Sequence, residues 1–292
     1  MIISQLIFNG LIIGSIYALV ACGFSLIYST NRFMHLAHGS VITLTAYFFF
    51  LFFKSLELPF ITSALLVLII GCLFGYGMNK LVYSQLQKRR SSNIILLIAS
   101  VGILTLTEAV IMLTFGVNIK SIGFTKLSQD INILGASLTI IQALIILTSI
   151  TLLILLYILM NKTKAGRNIR AVSDNKELAE IIGIDSKKII TISFIVGSFL
   201  AGIAGIFVAL EQSLQASMGT NLIIKGFTGA IIGGITSVPA SILGSYLLGL
   251  VENLGIWFIP ASYKDAIAFS LLFIFLLLKP NGLFGIDKGA KK

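Results

Sequence analysis

Charge is what this sequence most lacks. Asp, Glu, Lys and Arg make up 11% of its 292 residues and apolar side chains 57%, with a mean hydropathy of +1.02. A water-soluble domain carries about a quarter charged residues, so a soluble fold is excluded and lipid must cover the apolar excess. Cysteine is nearly absent. Cys22 and Cys72 lie inside apolar runs at a spacing that fits neither a disulfide framework nor a metal site, and read as small buried hydrophobes. Two histidines and scattered carboxylates supply no metal cluster. No G-x₄-G-K-[ST] loop is present, so ATP is not bound here through a P-loop. The G-x-S-x-G and H-E-x-x-H patterns are missing too, which argues against an enzyme and against a cofactor held by this chain. The first residues carry no positive charge and lead into an apolar run too long for a cleaved signal, so a retained first helix is expected.

What is present is a series of apolar runs. A helix needs about 20 apolar residues to span a bilayer. Runs extend over Ile2 to Tyr28, Ser40 to Phe53, Pro59 to Tyr83, Ile94 to Phe115, Leu138 to Met160, Ile189 to Leu210, Leu222 to Leu254 and Ala266 to Leu278. The seventh is too long for one simple span and carries Gly226, Gly229, Gly233, Gly234, Pro239 and Gly244. It reads either as two spans or as two half-helices meeting near Ser237-Val-Pro239. These runs predict an all-α polytopic membrane bundle of about eight or nine helices, one domain over residues 1–292. Glycines four apart, as in Gly71 and Gly75 or Gly229 and Gly233, suit close helix packing.

The formal net charge of +10 does not form a nucleic-acid surface, because the bases sit in short clusters between apolar runs. The positive-inside rule places Lys88–Arg90, the 161–188 loop and the tail with Lys288, Lys291 and Lys292 in the cytoplasm. Those assignments agree if the seventh run crosses an even number of times. The N-terminus is then outside, unless residues 29–39 form a re-entrant turn.

The 161–188 loop is the most charged stretch. Asp174-Asn-Lys-Glu177 reads as a capping box opening a short helix to Ile182, with Gly183 as the residue that closes it. Asp185 or Ser186 then caps the next membrane helix. Leu178, Ile181 and Ile182 share one side of the short helix. That face is either an ordinary amphipathic surface or a knob for a partner.

Glu177-Leu-Ala179-x₃-Gly183 resembles the E-A-A-x₃-G loop of ABC-importer permeases. Ala165-Gly-Arg167-Asn-Ile-Arg170-Ala-Val and Gly183-Ile-Asp-Ser-Lys-Lys around it are similar to the permeases of branched-chain amino-acid importers. So are Asn9-Gly-Leu-Ile-Ile-Gly-Ser-Ile-Tyr17, Leu36-Ala-His38-Gly39, Gly233-Gly-Ile-Thr-Ser237-Val-Pro239, Tyr263-Lys-Asp265 and Lys279-Pro-Asn-Gly-Leu-Phe-Gly285. The likeness runs in order along nearly the whole chain. It implies a multi-pass permease in a bacterial-type plasma (inner) membrane with a cytoplasmic C-terminus. Its implied partners are two ATP-binding ABC subunits, a second permease, identical or homologous, and an extracytoplasmic solute-binding protein. Arg167, Arg170, Asp174, Glu177, Leu178, Ala179, Ile181 and Gly183 are then the coupling residues. His38, Gly39, Glu108, Gly233, Gly234, Ser237 and Pro239 are the candidates for the solute path.

The sequence departs from that family at His35 and Ser40, flanking Leu-Ala-His-Gly, and at Thr236 and Ala240, which leaves the solute open. Urea-importer permeases share a similar pattern. An intramembrane charge usually faces a cavity or a partner, as expected for Glu108. Glu252, near a run's end, is either solvated at the interface or paired. A stand-alone channel or ion-coupled carrier accounts for these carboxylates but leaves the Glu177–Gly183 segment without a role.

Overall fold

A computed structural model describes residues 2–123, 130–133 and 135–284. The tail lysines 288, 291 and 292 and residues 124–129 lie outside the described residues. Helix α1 (Ile2–Asn31) is followed by α2 (His38–Phe49), which runs into a π-helical turn at Phe50–Ser55. Next, α3 (Phe60–Gly77) passes through a π turn (Met78–Tyr83) into α4 (Ser84–Lys88), and α5 spans Asn93–Phe115. A short antiparallel hairpin, β1 (Asp130–Ile133) and β2 (Ala136–Thr139), is an addition to the all-α expectation. It is held to the start of α1 by Gln5, whose side chain donates to the Ser137 carbonyl at 3.0 Å and accepts from its N–H at 2.9 Å.

Thr139 and Gln142 form a capping box that opens α6 (Ile140–Lys162). Then come α7 (Lys164–Asp174), α8 (Lys176–Ile181), α9 (Ser186–Glu211), α10 (Met218–Gly233), α11 (Val238–Gly255) and α12 (Lys264–Leu278). By length and apolar character six helices qualify as spans among the described residues, or seven if α10 and α11 count as one span bent by 114°.

The long helices are apolar around their whole circumference, as lipid or a protein interior on every side requires. Their hydroxyls are satisfied locally: Ser15, Thr45 and Thr228 each donate to the carbonyl four residues back. Helix α1 has 89% of its span buried and α12 only 6%, so α1 is the axis of the bundle and α12 its rim. Around α1 pack α9, α10, α11 and α6, while α2 packs on α9, α10, α3 and α5.

Two parts of the chain have the same plan. A long helix, a partly buried non-helical connector and a shorter helix that starts inside the bundle (a half-helix) occur at α1–α2 and again at α9–α10. The connectors are residues 32–37 and 212–217, and Phe33, His35, Ala37 and Leu214 in them are at most 2% exposed. Irregular backbone is tolerated at membrane depth only where protein covers it. Here Ser100 Oγ takes the Ala37 N–H at 2.7 Å, and Leu214 pairs with Lys120 through main-chain bonds. The start of α1 and the end of α9 share one end of the bundle, so the two plans run in opposite directions. The half-helices meet at their first turns. A Cβ on Gly39 would lie 2.5 Å from the Gly219 carbonyl oxygen, so only glycine permits this crossing. The Gly219 N–H donates to Thr43 Oγ1 at 3.0 Å.

Candidate functional site

Arg32, Gln87, Asn93 and the 161–188 segment gather at one end of the bundle. Arg32 donates to the Ser173 carbonyl, Asn93 to the Arg32 carbonyl at 3.2 Å and Gln87 to Asn31 at 3.4 Å. The two basic clusters among the described residues therefore share one face. Thr163 caps α7 by accepting from Gly166 N–H at 3.1 Å. This helix was not expected; its Ile169 and Val172 are buried and Arg167 and Arg170 exposed.

The cap of the short helix lies one residue later than the sequence suggested. Asp174 is still the last residue of α7, and Asn175, in extended backbone, caps α8 instead. Its N–H closes α7 on the Ala171 carbonyl at 3.1 Å while its Oδ1 accepts from Leu178 N–H at 3.1 Å. With the cap at Asn175, Glu177 stands in the first turn rather than at the third position, so the reciprocal capping box is not formed. A carboxylate there still favours the unpaired N–H groups of that turn.

Gly183 has φ +87°. Its N–H donates to Glu180 and that of Ile184 to Ala179, at 3.0 and 2.9 Å, the bond pair of a Schellman closure that requires a left-handed residue. Asp185 caps α9 through Lys188 N–H at 3.2 Å, and that N–H holds the Asp185 carboxyl below its usual range. Ala179 faces inward at 2% exposure, whereas Leu178, Ile181 and Ile182 stand 59%, 78% and 72% exposed.

Beside this segment opens a cavity of about 500 Å³, lined among others by Arg32, Arg170, Asp174, Ser237, Pro239 and Asn281. Ser237 is the residue before α11, and Pro239 lies in its first turn, where a missing N–H costs nothing. Gly234 ends α10, and Gly233 packs against the Ala240 carbonyl.

His38 and Gly39 lie elsewhere, in the packed crossing of the half-helices. His38 is fully buried against Gly23, where a Cβ would approach its Nε2 to 2.7 Å. It leans on the Val20 carbonyl without a formed hydrogen bond, and both its ring nitrogens lack a partner among the described residues. His35 bonds Tyr83 Oη at 3.0 Å through Nδ1. Glu108 is on a third surface, where its carboxylate accepts from the Thr220 hydroxyl at the start of α10, next to exposed Asn221. The Glu108–Thr220 contact thus lies one residue from the Gly39–Gly219 crossing, and the Gly233–Pro239 break lies at the other end of α10.

Sequence inspection passed over one cluster. Lys225 of α10 lies 2.8 Å from Asp265 and 3.4 Å from Glu252, and Tyr17 donates to Glu252 at 3.0 Å. Glu252 is 1% exposed, so it is paired rather than solvated. The available signal was a lysine inside an apolar run, which demands a partner.

Long apolar helices, half-helices meeting at depth and a short exposed helix at one end define a polytopic membrane permease. Residues 6–276 match the family described as branched-chain amino acid transport system / permease component, and the chain belongs to that family. It is 30% identical to the high-affinity branched-chain amino acid transport system permease protein LivH of Salmonella typhimurium, over 96% of this chain and 95% of that one. It is 29% identical to the corresponding protein BraD of Pseudomonas aeruginosa, with the same coverage. Among solved structures, PsaBC from Streptococcus pneumoniae in complex with Fab has a similar fold, with TM-score 0.52, 15% identity, and 95% of this chain and 92% of that one covered.

Proposed function

We propose that this chain is the membrane permease subunit of an ATP-driven ABC importer for branched-chain or related hydrophobic amino acids, working by alternating access. Two ATPase subunits bind the ATP, a second permease completes the path, and an extracytoplasmic binding protein delivers the solute. The membrane is a bacterial-type plasma (inner) membrane, with the basic end and the C-terminus cytoplasmic. Nine helical segments then lie within it, α2 and α10 starting inside the bundle rather than at its end. The observation that carries this reading is the α7–α8–Gly183 unit, which fixes three exposed aliphatic side chains at the basic end of the bundle. An aliphatic knob held rigidly in water suits a groove on another subunit. The solute path follows from the polar strip of Glu108, Thr220 and Asn221, with His38 and Gly39 at the crossing as the gate and the Gly233–Pro239 break at the inner mouth.

The test is Gly183→Val in the assembled transporter. A branched residue at φ +87° costs on the order of 1–3 kcal/mol locally and displaces Leu178 and Ile181. Solute-stimulated ATP hydrolysis and uptake should fall together while insertion is unchanged, and Lys176→Ala, which removes only a surface charge, should have little effect. Equal loss at both positions, or at neither, would remove α8 from the coupling role.

A further inference from the structure

The cavity beside α7 does not end at the polar residues. Tyr157 and Ile242 line it and also line a second, entirely apolar groove of about 420 Å³. That groove lies on α1 between α6 and α11, with Leu11, Ile150, Ile154 and Tyr246 along its walls. The Tyr246 hydroxyl is turned away to Ser15 at 3.0 Å, leaving only its ring toward the groove. From Tyr157 to Ile150 the groove descends about 10 Å at 1.5 Å per residue, within one leaflet of about 15 Å.

We propose that cavity and groove together form a site for a single anionic phospholipid, with the headgroup phosphate in the cavity and an acyl chain in the groove. Charge decides the headgroup. Arg32 and Arg170 face the cavity against one carboxylate, Asp174. Among the described residues Arg32 donates to the Ser173 carbonyl and Arg170 to Asn161 Oδ1, and an arginine has five N–H groups to give. Paired guanidinium groups suit phosphate oxygens, and basic pockets between helices at the membrane surface recognise anionic headgroups. Arg32 also has φ +60°, a left-handed conformation that costs a side-chain-bearing residue energy and that a glycine would adopt freely. Its main chain is held there by the bond of its N–H to the Tyr28 carbonyl at 2.8 Å and by Asn93 on the Arg32 carbonyl, which fixes where the guanidinium starts. Depth decides the tail, because a polar chamber opening into a wholly apolar trough has the same two-part character as a lipid. Ser237 and Pro239 also line the cavity, so this lipid site requires the headgroup to lie beside the inner mouth rather than in the solute path, and does not depend on which solute crosses.

The experiment is native mass spectrometry of the transporter containing the full-length chain, exchanged into neutral detergent. Phosphatidylglycerol, phosphatidylcholine or glycerol 3-phosphate is added at equal concentration. Phosphatidylglycerol should be retained at least tenfold more than phosphatidylcholine, and glycerol 3-phosphate should not be retained. Arg170→Gln should cut phosphatidylglycerol retention severalfold, and Arg32→Gln with Arg170→Gln should bring it to the phosphatidylcholine level. Ile154→Trp, which fills the groove and leaves both arginines intact, should also abolish it, so the test survives if the double variant fails to fold. Equal retention of the two lipids, retention of glycerol 3-phosphate alone, or unchanged retention in both Arg170→Gln and Ile154→Trp overturns the lipid site. Cross-linking of Ile154→Cys to a second permease would assign the groove to a protein interface and overturn it as well.

Discussion

Lys225 and Glu252 illustrate what one buried charge demands of its neighbours. Glu252 accepts from the Tyr17 hydroxyl, and its countercharge Lys225 lies over the Tyr17 ring and also reaches Asp265. Removing one partner of such a pair leaves the other charge uncompensated, at about 3–5 kcal/mol. Lys225→Met should therefore lower the unfolding temperature clearly, and adding Glu252→Gln should recover part of the loss. A double variant no more stable than Lys225→Met alone would mean that the pair is not the source. His38 and Glu108 call for a different assay. Alanine at either should slow solute uptake while the ATPase subunits still co-purify, since a polar group facing a path serves passage more than packing. Normal uptake in both variants would make them structural.

Among the elements, α8 combines a rigid frame with an apolar face. Leu178→Ser with Ile181→Ser keeps the Asn175 cap and the Gly183 closure, and both side chains are exposed, so the permease should fold as before. Pull-down of the ATPase subunits by this variant should weaken by tenfold or more. Full retention would show that the aliphatic face is not what docks.

The sequence made the short helix and its closing glycine legible because a left-handed turn after a short run has few solutions besides glycine. The cap was misplaced by one residue because Asp174 and Asn175 are both good capping residues, and only the unforeseen length of α7 decides between them. Helix α7 escaped notice because its apolar positions, Ile169 and Val172, are few amid charge. The long helices were legible from hydropathy alone. The start of α2 inside the bundle was not, because the polar stretch before it reads as an ordinary loop and carries no mark of depth.

The whole bundle carries its basic clusters on one face, and that asymmetry makes its orientation measurable. Cysteines at Gln87 and Ser173 should react with an impermeant thiol reagent only from the cytoplasmic side, and one at Asn118 only from outside. Labelling of position 173 from outside would invert the topology.

The double duty of Asn175 has a mechanical consequence. One residue ends α7 with its N–H and begins α8 with its side chain, Gly183 and Asp185 join α8 to α9 just beyond, and the Ser173 carbonyl holds Arg32 at the foot of α1. Under the proposed coupling role, a thrust at Leu178 would be passed along these bonds rather than absorbed in a loop. It would reach the axle of the bundle as torque, and the two glycines where α2 and α10 cross, the closest backbone contact between those helices, would be the bearing on which it turns.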